Sequence, residues 1–203
     1  MLKYSPEMTL REARALYFEI NNFPGGGYDE RWVKMKAGPI PIWFPNIKAR
    51  QLAVRFHDLH HVLTEYETTW KGETEIGAWE VATGIGPFWV GWVLDLLAFA
   101  VGLVINPRGV YRAFMRGRHS ENLYHDMTFN DELLARRVGA MRRALRLDGG
   151  EGSVTRRDVA AFVAWSFASV AAYFAAGGVL LAPFIVALVL LLWRSGSLGW
   201  LGL

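Results

Sequence analysis

Three of the chain's five histidines fall within five residues, His57-Asp58-Leu59-His60-His61, and an acid, Glu73, follows after Gly72. On a helix each residue turns by about 100°. With His57 at 0°, His61 falls at about 40° and Asp58 at about 100°, so all three project within one arc. Two imidazoles one turn apart can grip one metal ion from a single helix. Glu73, opening the next helix, can fold back to add an oxygen ligand. Mixed nitrogen and oxygen donors suit zinc, iron or manganese, and softness alone does not choose among these divalent ions. His60 points about 60° to the other side and is expected outside the ligand set. Glu65, one turn beyond His61 on the ligand face, is placed to hold a ligand in position or to act as a base on bound water. The plainer alternative is ordinary packing of a histidine pair, but the clustering favours a functional site. His119–His125 reads as a polar surface loop. With no cysteine in the chain, disulfides, thiolate zinc sites and thiol catalysis are excluded.

Three motif readings compete. His57-x-x-His60-His61 matches one histidine box of membrane desaturases, but those di-iron enzymes need further boxes that five histidines cannot fill. The His-Asp phosphohydrolases need a histidine upstream, and none precedes His57. The third reading survives. His57-Asp58-x-x-His61, eleven residues and Glu73 resembles the signature of the coenzyme Q biosynthesis protein 4 family. Arg55-Phe56, Val62-Leu63-Thr64 and Gly72 agree as flanks. Arg116-Gly117-Arg118 and the stretch from Asn130 through Val138 to Leu147 resemble the family's closing segment. The resemblance covers roughly residues 8–148. It implies an all-α fold and a divalent metal held by His57, Asp58, His61 and Glu73 beside a cavity for a polyprenylated ring. It also implies a part in ubiquinone synthesis: oxidative replacement of the ring carboxylate by a hydroxyl, and organisation of other quinone-biosynthesis enzymes. Trp70-Lys71 and Glu65-Tyr66-Glu67 mark a divergent member, and the apolar C-terminus departs from a family whose members are mostly peripheral on the membrane.

The elements that must position these residues read as helical. Thr9-Leu10-Arg11-Glu12 is a capping-box pattern, so a helix runs to about Asn21 and stops at Pro24-Gly25-Gly26-Gly27. Residues 28–46, with Trp32, Trp43, Phe44 and the prolines Pro39, Pro41 and Pro45, read as an irregular aromatic wall for an apolar pocket. Asn46 is expected to cap a helix through Tyr66. Further helices are expected near Glu73–Thr83, Val110–Arg116 and Asp131–Leu147. No β-rich alternation and no fixed-period repeat is seen.

From Val159 to Leu203 the only charged side chain is Arg194. This run excludes a purely soluble single core, and 52% hydrophobic residues with a net charge of +3 exclude disorder. As one helix, Val159–Trp193 would measure about 52 Å against a hydrocarbon core of about 30 Å. With Gly177-Gly178 near its middle and Pro183 beyond, the run predicts a transmembrane or re-entrant helical hairpin, Val159–Ala176 and Val179–Trp193. Basic residues at both ends place both ends in the cytoplasm. Ile85–Ile105 is also apolar, but Asp95 is costly in lipid if unpaired. A crossing there would export residues 106–158, eleven arginines against seven acids. It is expected to be a core or lipid-touching helix. The charged N-terminus lacks the apolar core of a signal peptide. The expected organisation is thus a helical metal-binding domain, residues 1–153, followed by a membrane hairpin, residues 154–203, at a bacterial-type inner membrane with the domain cytoplasmic.

The function expected is that of a membrane-associated metalloprotein acting on, or presenting, a polyprenylated aromatic precursor. The prenyl tail would lie against Ile85–Ile105 and the tryptophan-rich segment. Arg116 and Arg118 would pair with the precursor's carboxylate or lipid phosphates, or serve simply as surface charge. Two rivals are a non-catalytic lipid-binding scaffold with a structural metal and a metal-dependent hydrolase using Glu65. Apolar aromatic surfaces are compatible with a homodimer. Nucleic acid is not expected as a partner, because the basic residues are interleaved with acids beside apolar segments.

Overall fold

The Thr9 hydroxyl accepts from the Glu12 N–H while the Glu12 carboxylate accepts from the Thr9 N–H, so the expected capping box starts helix α1 (Leu10–Ile20). The computed structural model describes residues 3–37, 40–125, 128–149 and 152–194. After α1 a 3-10 turn, Pro24–Gly27, puts Gly25 and Gly26 at positive φ, where a Cβ would strain the chain.

Two antiparallel strands follow, β1 (Trp32–Ala37) and β2 (Ile40–Pro45), with Trp32 opposite Pro45 and Ala37 opposite Ile40. This hairpin replaces the irregular segment expected there. Pro41 and Pro45 concealed it, because proline interrupts a strand pattern yet is tolerated on an edge that needs no N–H. Pro39 lies outside the described residues.

The remaining described elements are helices, as expected. Helix α2 (Lys48–Thr64) carries the histidines. Its N-cap is Ile47, without a side-chain cap, because the Asn46 amide is engaged elsewhere. That amide donates to the carbonyls of Gly27, Tyr28 and Glu30, tying the glycine turn to the start of α2. Helix α3 (Trp70–Thr83) starts earlier than expected, because Thr69 caps it by accepting from the Gly72 N–H. Helix α4 (Trp89–Ile105) is the apolar helix, and α5 (Pro107–Arg118) follows. The single helix expected over 131–147 is split into α6 (Asp131–Ala135) and α7 (Val138–Ala144). Backbone groups at the break bond the N-terminal segment instead: Leu10 N–H donates to the Arg136 carbonyl and Val138 N–H to the Met8 carbonyl.

Helix α3 is central and packs against α4 and α5. Leu59, Leu63, Ile76, Trp79, Phe99 and Phe114 are fully buried around it. Each buried side chain of this size contributes about 1.5–3 kcal/mol of transfer free energy.

The C-terminal run is a single helix, α8 (Arg156–Arg194), so the expected hairpin is not formed. The helix continues through Gly177, Gly178 and Pro183. A turn in an apolar run must strand backbone groups that a helix satisfies internally, and that cost exceeds the helix penalties of glycine and proline. Thr155 and Asp158 form a reciprocal cap at its start, and Arg118 Nε donates to Asp158 Oδ1 at 3.0 Å. Its first turns lie on the domain: Trp165 stacks on Trp92, and Phe162 meets Phe99, Tyr111 and Phe114. Contact gives out after the buried Ser169, and a Cβ on Gly177 or Gly178 would meet nothing within 4 Å. From residue 170 to 194 the helix is about 37 Å long, enough to cross a hydrocarbon core of about 30 Å. By length and composition α8 is a candidate membrane span, whereas α4 is shorter.

Candidate metal centre

The helix period brings His57 and His61 together, and the tight entry to α3 brings Glu73 to them. His57 Nε2 lies 3.1 Å from His61 Nε2, and Glu73 sets Oε2 3.5 Å from His57 Nε2 and Oε1 3.5 Å from His61 Nε2. The hydrogen-bond network assigns the protons. His61 Nδ1 donates to the Tyr66 carbonyl at 2.9 Å, and His57 Nδ1 donates to Glu80, 3.1 Å from both of its oxygens. Each ring therefore turns an Nε2 lone pair toward the other. Two lone pairs at that distance repel unless a proton or a cation lies between them. A tetrahedral ion bonded at about 2.0–2.2 Å sets neighbouring ligand atoms about 3.3–3.5 Å apart, so the trio has the spacing and donor chemistry of a metal site. Three candidate ligands, with Glu73 partly exposed, would leave a position on a bound ion open to water.

The electrostatics agree with this arrangement. Burial opposes charging of His57, but Glu80 and Glu73 outweigh it and raise its pKa well above that of free imidazole. Burial likewise opposes ionisation of Glu73, yet its contacts with His57 and His61 hold the carboxyl far below the usual range. Tyr17 stacks on His61, ring centroids 5.6 Å apart, and closes that side.

Beneath the trio lies a buried network that the sequence reading missed. Glu80, on α3 with no exposed surface, accepts from His57 Nδ1, from His60 Nδ1 at 2.5 Å and from the Tyr124 hydroxyl at 3.1 Å. The Leu123 N–H donates to His60 Nε2, which fixes His60 as the neutral Nδ1–H tautomer. Burial keeps His60 neutral, while His57 and His60 keep Glu80 ionised. Asp95, the acid in the middle of α4, is buried beside this network, and burial first and the Glu80 charge next push its carboxyl well up. His57, Glu80 and Asp95 form a second group with metal-ligand spacing, His57 being common to both. One signal in the sequence pointed to Glu80: it stands seven residues after Glu73, hence on the same helix face.

The other residues singled out from the sequence lie elsewhere. Asp58 is not in the trio; its Oδ2 accepts from the Tyr28 hydroxyl at 2.5 Å in a buried pair. At about 100° from His57 it leaves the ligand face toward the glycine turn. Glu65 does not face the trio. It ends α2 in a left-handed conformation, accepts from the backbone N–H groups of Lys3 and Tyr4, and lies 3.8 Å from Arg142. Arg116 donates to the carbonyls of Thr64 and Leu147 and covers the Tyr66 ring; Arg118 holds Asp158. Both arginines brace the fold. His119–His125 is not a surface loop, since Asn122, Leu123 and Tyr124 are buried. The Asn122 amide fastens it by donating to Thr83 Oγ1 and the Gly84 carbonyl, and this delivers Tyr124 to Glu80.

A groove of about 150 Å³ opens between the end of β2 and the start of α4, lined by Pro45, Ile47, Arg50, Trp89, Val90, Val93 and Leu94. Arg50 precedes His57 by two helical turns, about 10 Å along α2. Comparison with protein-family models, with curated proteins and with solved structures gave no match.

Proposed function

We propose that this chain is a membrane-anchored metalloprotein that acts on, or presents to partner enzymes, a polyprenylated aromatic precursor of a quinone such as ubiquinone. The observation that carries the reading is the pair of Nε2 atoms 3.1 Å apart with Glu73 beside them, each ring held from behind by an acceptor. Such backing acceptors are what metal-binding histidines need to keep one tautomer and one orientation. Three ligands, His57, His61 and Glu73, would hold a divalent ion, zinc, iron or manganese. When bound, the ion would supply a Lewis acid for a ring carboxylate or carbonyl. The groove beside Trp89 and Ile47 supplies apolar walls for the start of a prenyl tail, where the sequence reading put it. Arg50, which donates to Asn46 Oδ1, lines that groove and would be the cation within it for a carboxylate. We infer an inner-membrane location with the domain cytoplasmic, on the basis of α8 and its flanking arginines.

The test is elemental mass spectrometry of detergent-purified protein beside His61→Ala, with turnover of a prenylated hydroxybenzoate assayed in membranes. One metal per chain in the parent, none in the variant and loss of turnover support the reading. Turnover retained without metal ends it. A structural role for the ion has one observation in its favour, since the trio joins α2 to α3. There, removing the metal would melt the domain rather than only stop chemistry. The hydrolase reading loses its base, because Glu65 is engaged with the N-terminal segment.

A further inference from the structure

Helix α4 meets its neighbours with less than half of its circumference. Gly91, Asp95 and Gly102 face inward: a Cβ on Gly91 would press on Ile85, and one on Gly102 on Val110 and Thr74. Trp92 and Phe99 face α8. The opposite arc, about 160° wide by helix geometry, runs from Trp89 through Val93, Leu97 and Val104 to Ile105. Every residue on it is apolar; Val90 and Ala100 within it are buried, while Trp89 is 60% and Val104 82% exposed. At the Trp89 end the arc joins Ile47, 44% exposed, across the groove. An apolar strip running the length of a helix and ending in a tryptophan marks a binding surface rather than scattered surface apolarity.

Three observations identify what covers it. The first is continuity with the candidate span. Successive turns of α8, Phe162 then Trp165, meet α4 at Phe99 and then Trp92, so α8 runs toward the Trp89 end before it stands free. A bilayer that receives α8 there lies against that end of α4. The second is charge. Arg50 lies in the groove at one end of the strip, and Arg108 and Arg112 line an open cavity with Tyr111 and Pro107 at the other. Cations bracketing an apolar strip match the layering of phosphate headgroups around acyl chains. The third is residue type, since exposed tryptophans favour the boundary between headgroup and hydrocarbon.

We propose that the outer face of α4, with Ile47, is embedded in the headgroup–acyl boundary of the leaflet that α8 enters. The domain then lies on the membrane instead of swinging from α8 as a tether. The groove of Pro45, Ile47 and Trp89 opens at the lipid surface, so a lipid-borne substrate reaches it without crossing water. The proposal rests on the reading of α8 as a span, and the experiment separates the two.

The chain has no cysteine, so single cysteines can be placed in the otherwise unaltered full-length protein. Val93→Cys and Val104→Cys report the α4 face, Ile185→Cys reports α8, and Ala144→Cys reports α7, which packs on α2. Each is spin-labelled in phosphatidylcholine vesicles containing phosphatidylglycerol, and accessibility to oxygen is compared with accessibility to a water-soluble nickel chelate. The expected result is an oxygen-to-nickel ratio several-fold higher at 93, 104 and 185 than at 144. A lipid-exposed 185 with 93 and 104 as aqueous as 144 overturns the proposal and leaves the span intact. An aqueous 185 overturns the span itself. Labels at 93 and 104 shielded from both reagents overturn the proposal in favour of a second copy of the chain covering this face.

Discussion

Glu80 shows what a carboxylate beneath a metal site has to do. It bonds His57 Nδ1 and so aims Nε2 at the ligand position, and it bonds His60 and Tyr124 and so fixes itself. Glu80→Gln keeps the shape but loses the charge that holds His57. Metal affinity is expected to fall by about 10- to 100-fold, read by competition with a chelator of known affinity. An unchanged affinity would remove Glu80 from the site. The facing imidazoles also give a pH signature. In metal-free protein His57 has a raised pKa, so its proton stabilises the fold below the ordinary imidazole value of about 6.5. That stabilisation is lost as pH rises through the raised value. Metal displaces this proton, so its affinity grows as pH rises. The gap between the melting temperatures of loaded and chelated protein should therefore widen from about pH 6 to about pH 9; a gap that narrows contradicts the shared site. The histidine pair was legible because helical spacing alone places it, and Glu73 because its distance along the chain from His61 matches the signature the motif resembles. Asp58 was misplaced because its adjacency to His57 in sequence puts it a quarter turn away. Glu80 was passed over because acids are common and only the final packing shows which are buried.

Among the elements, α3 carries the most constraint, and Gly72 is its tightest point. A Cβ there would run into the carbonyl group of Glu67, backbone that cannot rotate aside. Gly72 also directly precedes the candidate ligand Glu73. Gly72→Ala is expected to cost about 1–3 kcal/mol and to lower metal content in the protein that still folds. Thermal unfolding and elemental analysis of the variant check both effects together. A stability loss with full metal content would mean that the start of α3 moves without carrying Glu73 away. Helix existence was readable from caps and periodicity, as Thr9 and Glu12 show. The β hairpin was not, because its pairing of Trp32 with Pro45 depends on partners thirteen residues apart and leaves no alternation across the prolines. The split between α6 and α7 was hidden for a similar reason. The Arg136 carbonyl and the Val138 N–H serve the N-terminal segment, a contact that no local pattern encodes.

For the whole molecule, the sequence marked the apolar C-terminus but mistook its path. Length argued against one span, and Gly177-Gly178 suggested where the chain would turn. The excess length is absorbed differently: the turns up to Ser169 belong to the domain, and only the remainder is free to cross. This changes the topology. A hairpin returns the C-terminus to the side of the domain, whereas one crossing from residue 170 to 194 carries Arg194 to the other side. The positive-inside tendency favours the domain side for Arg156 and Arg157, and a single Arg194 is a small opposing charge. A reporter fused after Leu203 distinguishes the two paths. Alkaline phosphatase, active only outside the cytoplasm, is expected to be active in this fusion, and a fluorescent protein that matures only inside is expected to be dark. The reverse pattern would restore the hairpin and require α8 to break at the glycines when it enters lipid. The same crossing fixes how deep the domain can lie, because Trp165 and Ser169 stay against α4 and the first free turn is that of Val170. If α8 crosses as proposed, so short a connection would set the α4 face and the start of the span at one lipid surface, and the groove beside Trp89 would open there.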